Sequence, residues 1–319
     1  MTAGAALAAG CTMVVKPASA TPFSALALAE LAHQTDIPHG VFNVVTGKAD
    51  MVSDTFTADA RIRKLSFTGS TDVGRKLMAQ CAEHVQKISP ELGGNAPFII
   101  FDDADIERAV EGAMICKFRN TGQTCVCANR FLVQSGIHDD FVAALAEAMG
   151  KLKVGDGFEE GVTQSALINS EAVDKVIEHF DDAMAKGAKR VCGPAPGTDR
   201  GNYVQPVLLT HINTSMTLCH EETFGPLAAI MRFDTEEEAI ELANATPFGL
   251  AAYFYTRNLH RMWRVADALE AGIIGINEGL ISNPMAPFGG IKESGLGREG
   301  SRHGLDEYTE LKYLCMGAE

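Results

Sequence analysis

Short β-prone runs alternate with helical stretches along most of this sequence, and that alternation restricts the fold more than any other feature. Cys11–Val15 is followed by a helix over Pro22–His33, with Thr21 as its N-cap and Pro22 at the first helical position. Val41–Val45 leads to Thr46–Gly47, and Ile62–Phe67 leads through Thr68-Gly-Ser-Thr71 into a helix reaching about Cys81. Val85–Ser89 and Pro97–Phe101 read as further strands. A second set follows, with helices at Asp105–Lys117, Asp139–Lys151, Glu171–Lys186, Glu236–Asn244 and Leu259–Glu270. Strands at Asn129–Gln134, Leu250–Tyr255 and Gly272–Asn277 are interleaved with them. Parallel strands need crossover connections, so this alternation specifies an α/β fold around a parallel sheet. The tail, Tyr308–Met316, alternates loosely and reads as an edge strand in want of a partner.

Length and composition narrow the class of partner. The chain has 319 residues, enough for two domains, and is 46% hydrophobic. Its 27 Lys and Arg against 41 Asp and Glu give a net charge of −14, which disfavours nucleic acid or an anionic membrane surface. No apolar stretch reaches the ~18–20 residues of a spanning helix. The eight Cys are too sparse for a disulfide scaffold and suit a reducing compartment, the cytoplasm or a mitochondrial matrix. Met1–Cys11 is apolar but lacks a basic lead-in, so it reads as part of a folded element and not as an export signal.

Three motifs carry chemistry. Phe67-Thr-Gly-Ser-Thr71 sets Gly69 and Ser70 at a strand-to-helix junction, which either holds a phosphate on free backbone N–H groups or is an ordinary turn. Arg119-Asn-Thr-Gly-Gln-Thr-Cys125-Val-Cys127 places a thiol in a polar, Gly-containing loop near a cation; Cys125 is either an activated nucleophile or an inert buried thiol. No second Cys pair or Cys/His cluster stands at zinc spacing, so no metal site is expected. Glu91 precedes Leu92-Gly93-Gly94, where two glycines let the backbone pass close to a neighbour. Its carboxyl is either a base in a cleft or a solvated loop group.

Six ordered motifs together resemble the aldehyde dehydrogenase superfamily: Lys16-Pro-Ala-Ser19, Phe67-Thr-Gly-Ser-Thr71, Glu91-Leu-Gly-Gly-Asn95, Gly122-Gln-Thr-Cys125, Glu221-Glu-Thr-Phe-Gly-Pro226, and Pro287-Phe-Gly-Gly-Ile-Lys292 through Ser294–Glu299. The resemblance covers the whole chain, and Lys117–Cys127, Asn277–Ser282 and Gly295–Gly300 look most like its succinate-semialdehyde dehydrogenase branch. It implies an aldehyde-dehydrogenase-like α/β fold. An incomplete Rossmann-type NAD(P)-binding domain would occupy 1–92 and a catalytic domain 93–288, with 289–319 returning to the cofactor domain and ending in an oligomerisation strand.

The same resemblance assigns roles. Cys125 would be the nucleophile and Glu91 the general base. Lys16 and Glu222 would hold the riboses of NAD or NADP, Gly69 and Ser70 the pyrophosphate, Gly47 the adenosine half and Phe224 the nicotinamide side. Arg119 and Ser282 would hold the distal carboxylate of a small aldehyde, with a salt bridge supporting the loop as the alternative for Arg119. Ser19 stands where many NAD-specific relatives carry Glu, so NADP is expected to be accepted. Cys127 would pair with Cys125 as a redox switch or be a packing residue. The implied assembly is a homo-oligomer of two or four chains.

Departures from the family pattern accompany these roles. The family's N-terminal segment, with its Pro-Trp-Asn-Phe-Pro oxyanion motif, lies outside this sequence, and a family Lys falls at Thr2, depriving Glu299 of a charged partner. Ser165–Ala166 replaces a Gly-Pro turn. The alternative to catalysis is a truncated chain that acts only by associating with a complete subunit.

Overall fold

The computed structural model describes residues 2–318, which fold as two units. The first runs up to Glu91 and regains Ser282–Gly289 and the chain from Gly295 onward; the second is Leu92–Ile281 with Gly290–Ser294.

The first unit contains α1 (Thr2–Ala8), β1 (Met13–Val15), α2 (Phe23–His33), β2 (Phe42–Val44), α3 (Ala49–Ala58), β3 (Lys64–Thr68), α4 (Thr71–Ala82) and β4 (Lys87–Glu91). Its strands form two parallel pairs, β1 with β2 and β3 with β4. A small apolar cluster of Leu65, Leu77 and Cys81 is packed by Phe56, Phe67 and Ile88. Helix α2 buries none of its residues, and Phe23 and Leu28 are 81% and 59% exposed. Pro22, not Thr21, takes its N-cap position, without a side-chain cap: the proline ring fixes φ at −78°, which opens the helix unaided. Helix α3 escapes the sequence reading because Ser and Thr are weak helix formers. Here their hydroxyls bond back along the helix, Ser53 to the Asp50 carbonyl, Thr55 to that of Met51 and Thr57 to that of Ser53.

In the second unit are β5 (Ala96–Ile100), α5 (Ile106–Phe118), β6 (Ala128–Gln134), α6 (His138–Met149), α7 (Ser170–Ala185), β7 (Lys189–Cys192), β8 (Val207–Thr210), β9 (Leu227–Phe233), α8 (Glu236–Asn244), β10 (Phe248–Gly249), β11 (Ala251–Tyr255), α9 (Leu259–Ala268), β12 (Ile273–Ile276) and β13 (Ile291–Lys292). Seven strands make one sheet in the order β12-β11-β5-β6-β9-β8-β7, parallel except for β7. Every residue of β5 and β11 is buried, the mark of a parallel sheet covered on both faces. Four helices carry side-chain N-caps: Asp105 for α5, Asn169 for α7, Thr235 for α8 and Asn258 for α9.

A last short helix, α10 (His303–Asp306), belongs to the first unit. Tyr308–Met316 is expected as an edge strand in want of a partner. No strand is formed there, and Leu311, Tyr313, Leu314 and Met316 are exposed, because no strand among the described residues supplies the neighbouring N–H and C=O groups. No helix among those residues is long and apolar enough to cross a membrane.

Candidate active site

In the first unit the expected cofactor residues follow the carboxyl ends of parallel strands. Lys16 follows β1, Gly47 follows β2, and Gly69 and Ser70 follow β3. Turn N–H groups and helix N-termini collect ligands at these ends in open α/β sheets. Lys16 Nζ donates to Ser19 Oγ at 3.1 Å, so these two are neighbours. Ser70 is the N-cap of α4 yet makes no side-chain capping bond, which leaves its hydroxyl for another acceptor or donor. A Cβ at Gly69 would stand 2.4 Å from the tip of the Phe67 ring, so a larger residue there would have to displace that side chain.

Glu91 ends β4 and is 7% exposed, with Oε2 lacking a hydrogen-bond partner, so its carboxyl is not solvated. Burial first, then the charge of Glu299, pushes it up to about 8, against the opposing pull of Arg298. Glycines wrap it closely. A Cβ on Gly295 would stand 2.0 Å from the Pro90 carbonyl oxygen, and one on Gly289 3.0 Å from Glu91 Oε1. At Thr2, where the family pattern has Lys, the hydroxyl donates to the Glu299 carboxylate. Ser282 lies exposed in this unit.

The second unit holds the thiol. After α5 the chain turns left-handed at three successive residues, Asn120 (φ 53°), Thr121 (φ 57°) and Gly122 (φ 77°), before reaching half-buried Cys125. Such a run is costly for residues with a Cβ and persists only where neighbours hold it. Here Ser165 donates its N–H to Thr121 Oγ1 and accepts from the same hydroxyl, both at 3.2 Å. Gln123 Oε1 accepts from the Ile168 N–H at 2.9 Å. The Ser165 backbone therefore supports the loop. Gly94 passes so close to it that a Cβ would meet the Cys125 carbonyl oxygen at 2.7 Å. Arg119 is exposed and has no carboxylate partner among the described residues. Cys127 is buried, its thiol donating to the Lys117 and Ala128 carbonyls at 3.5 Å; burial first pushes that thiol up, against the pull of Lys117.

Beside this loop stands the turn that carries Glu222 and Phe224. Gly122 fits against it only for want of a side chain, since a Cβ would reach the Gly225 carbonyl oxygen at 2.4 Å. Glu222 Oε1 accepts from the Gly94 N–H at 3.3 Å, and burial pushes its carboxyl up to about 7. Phe224 is left-handed at φ 51°. Cys125, Gly94 and Glu222 thus share one corner of the second unit, whereas Lys16, Ser19, Gly47, Gly69, Ser70, Glu91 and Ser282 belong to the first.

The model of the aldehyde dehydrogenase family matches residues 1–314. The chain belongs to that family. It is 59% identical over 315 residues to the succinate-semialdehyde dehydrogenase [NADP(+)] GabD of Escherichia coli, covering 99% of this chain and 65% of that protein. A glutarate-semialdehyde dehydrogenase of Pseudomonas aeruginosa is 58% identical, with the same coverage. Among solved structures, an E. coli NADP-dependent enzyme superposes with a TM-score of 0.98 at 60% identity, covering 99% of this chain and 66% of that one. The chain therefore spans about two-thirds or slightly less of the relatives it matches.

For an aldehyde dehydrogenase, three buried residues to which sequence reasoning gave no role of their own matter: Asn95, Asn129 and Arg130. Each stands within five residues of a motif, and a polar residue inside or beside an apolar strand is the one signal that marks them.

Proposed function

We propose that this chain carries the nucleophile, the base and much of the cofactor site of an aldehyde dehydrogenase that oxidises succinate semialdehyde to succinate. By the family resemblance, the strand-end residues Lys16, Gly47, Gly69 and Ser70, with Ser19 beside Lys16, would hold part of a dinucleotide, and Glu222 and Phe224 another part. The uncapped Ser70 hydroxyl and the half-buried Glu222 carboxylate, with one backbone donor, both await ligand hydroxyls or phosphates. Ser19 brings no charge against a 2′-phosphate, so NADP is the expected choice over NAD.

Cys125 Sγ, deprotonated, adds to the aldehyde carbon and gives a thiohemiacetal. A nicotinamide dinucleotide held by Lys16, Ser70 and Glu222 would supply the hydride acceptor, and loss of that hydride from the thiohemiacetal would leave a thioester on the Cys125 sulfur. Glu91 then takes a proton from water as the water attacks the thioester carbonyl, which releases the carboxylate and restores the thiol. A carboxyl held near 8 by burial suits that task. If Cys127 is to close a disulfide on Cys125, its thiol must first leave the Lys117 and Ala128 carbonyls.

The observation that supports this substrate is Arg119: an exposed guanidinium without a carboxylate partner, six residues before the thiol, suited to a distal carboxylate with Ser282. Arg119→Met is expected to raise KM for succinate semialdehyde by about tenfold or more, the scale of one charge-assisted hydrogen bond, while sparing butanal. Equal loss on both aldehydes makes Arg119 structural. Iodoacetamide labelling slowed by NADP at Cys125 but not at exposed Cys315 tests the nucleophile separately.

A further inference from the structure

Arg130 is 4% exposed and carries a charge inside the second unit with no carboxylate partner among the described residues. Burial pushes its guanidinium down to about 10. A buried cation is tolerated only when hydrogen-bonded throughout, and Arg130 spends its donors on neutral oxygens. Nε donates to Asn95 Oδ1 at 2.7 Å and Nη2 to the Asn95 carbonyl at 3.0 Å, a fork closed on one residue. Nη1 donates to the Leu242 carbonyl at 2.5 Å and Nη2 also to that of Ala243 at 2.9 Å.

This fork fixes which way the Asn95 amide faces. With Oδ1 engaged by Arg130, Nδ2 points away and donates to the carbonyls of Leu218 and Glu221 at 3.2 and 3.0 Å. Asn129 grips the same two carbonyls with its own Nδ2, at 2.7 and 3.1 Å, and accepts the Thr223 N–H on Oδ1 at 3.0 Å. The peptide groups on both sides of Glu222 are therefore held by two parallel side-chain amides, and Arg130 orients the first of them. Asn95 closes the Glu91 motif, and Asn129 follows Cys125 by four residues. One network thus joins the Cys125 loop, the Gly93–Asn95 turn and the Glu222 turn. The Glu222 carboxylate itself accepts from the Gly94 N–H.

We infer that Arg130, through Asn95 and beside Asn129, is a positioning residue for the cofactor: it holds the backbone around Glu222 so that the carboxylate meets a ribose without reorganising. This rests on the proposed role of Glu222 and extends it to residues that touch no ligand. Lys cannot replace Arg130, because an ammonium has no planar fork to engage the amide and carbonyl of one residue together. The network acts on the Glu222 turn, so its loss weakens cofactor binding and leaves the reactivity of the thiol in place.

The test is a double-variant cycle read by NADP titration. Arg130→Lys is expected to raise the Kd and KM for NADP about tenfold, with the iodoacetamide rate at Cys125 within about twofold of the parent. In a Glu222→Gln background the same substitution is expected to add little, because its effect runs through that carboxylate. Equal and additive losses in both backgrounds, or a matching fall in Cys125 labelling, overturn the inference and make Arg130 a general fold residue. If Arg130→Lys does not fold, Asn129→Ala takes its place in the same cycle, and failure of both to fold also overturns it. Glu222→Gln with unchanged NADP affinity rejects the cofactor role of Glu222 instead, and so separates the two failures.

Discussion

The two units of this chain solve the burial of apolar strands in opposite ways. The second encloses a seven-stranded sheet whose β5, β6 and β9 are buried along nearly their whole length, between capped helices on a continuous core. The first distributes four strands over two separate pairs, has a three-residue buried cluster, and leaves α2 with no buried residue. A two-stranded pair is marginal by itself, so the first unit draws less stability from its own packing. The contrast matters for chemistry. Cys125, the proposed nucleophile, stands on the well-packed unit, where left-handed turns can be held, while Glu91, the proposed base, and most of the proposed cofactor residues stand at strand ends of the more open one.

The sharpest break of this comparison is at Phe131, fully buried in β6 against Phe98. Phe131→Ala is expected to cost about 3–5 kcal/mol in denaturant unfolding, and a loss under about 1 would deny the second unit its self-sufficient core. Next comes the base. Glu91 accepts a proton only when ionised, and its carboxyl lies above its ordinary value, so thioester hydrolysis is expected to rise with pH through about 8 and level off above it. Glu91→Gln should lower the hydrolytic rate by about 10²–10⁴ and flatten that rise. An unchanged pH–rate profile removes Glu91 from the reaction.

Smaller effects probe the open unit. Ser19→Glu places a carboxylate beside Lys16 and is expected to shift the NADP/NAD preference about tenfold toward NAD, the scale of one like-charge repulsion near a protein surface. No shift means that the discriminating contact lies elsewhere. Smallest of all is Leu28→Ala on the uncovered face of α2, expected within about 0.5 kcal/mol of the parent. A cost of 2 kcal/mol or more in the protein would show that this face is covered by another segment or chain.

Much of the fold was legible because β5, β11 and the capped helices satisfy local rules that need no knowledge of neighbours. Strands β8 and β9 were not, although β9 sits between β6 and β8. A short apolar run without alternation reads alike for strand, buried helix end or loop. Helix α3 failed for the converse reason, since its Ser and Thr weigh against a helix until their hydroxyls are seen to bond within it.

By itself, the sequence determined the α/β class, the family and the residue types at Cys125, Glu91, Arg119 and Ser19, because motif order, spacing and side-chain chemistry are properties of the chain. Only the tertiary structure decided what surrounds those groups. The Glu91 carboxyl rises to about 8 through burial and through Glu299, more than two hundred residues away. Asn95, Asn129 and Arg130 acquire a role only when folding brings Leu218, Glu221 and Thr223 to them. Burial and through-space charge depend on which segments meet, and no local pattern records that.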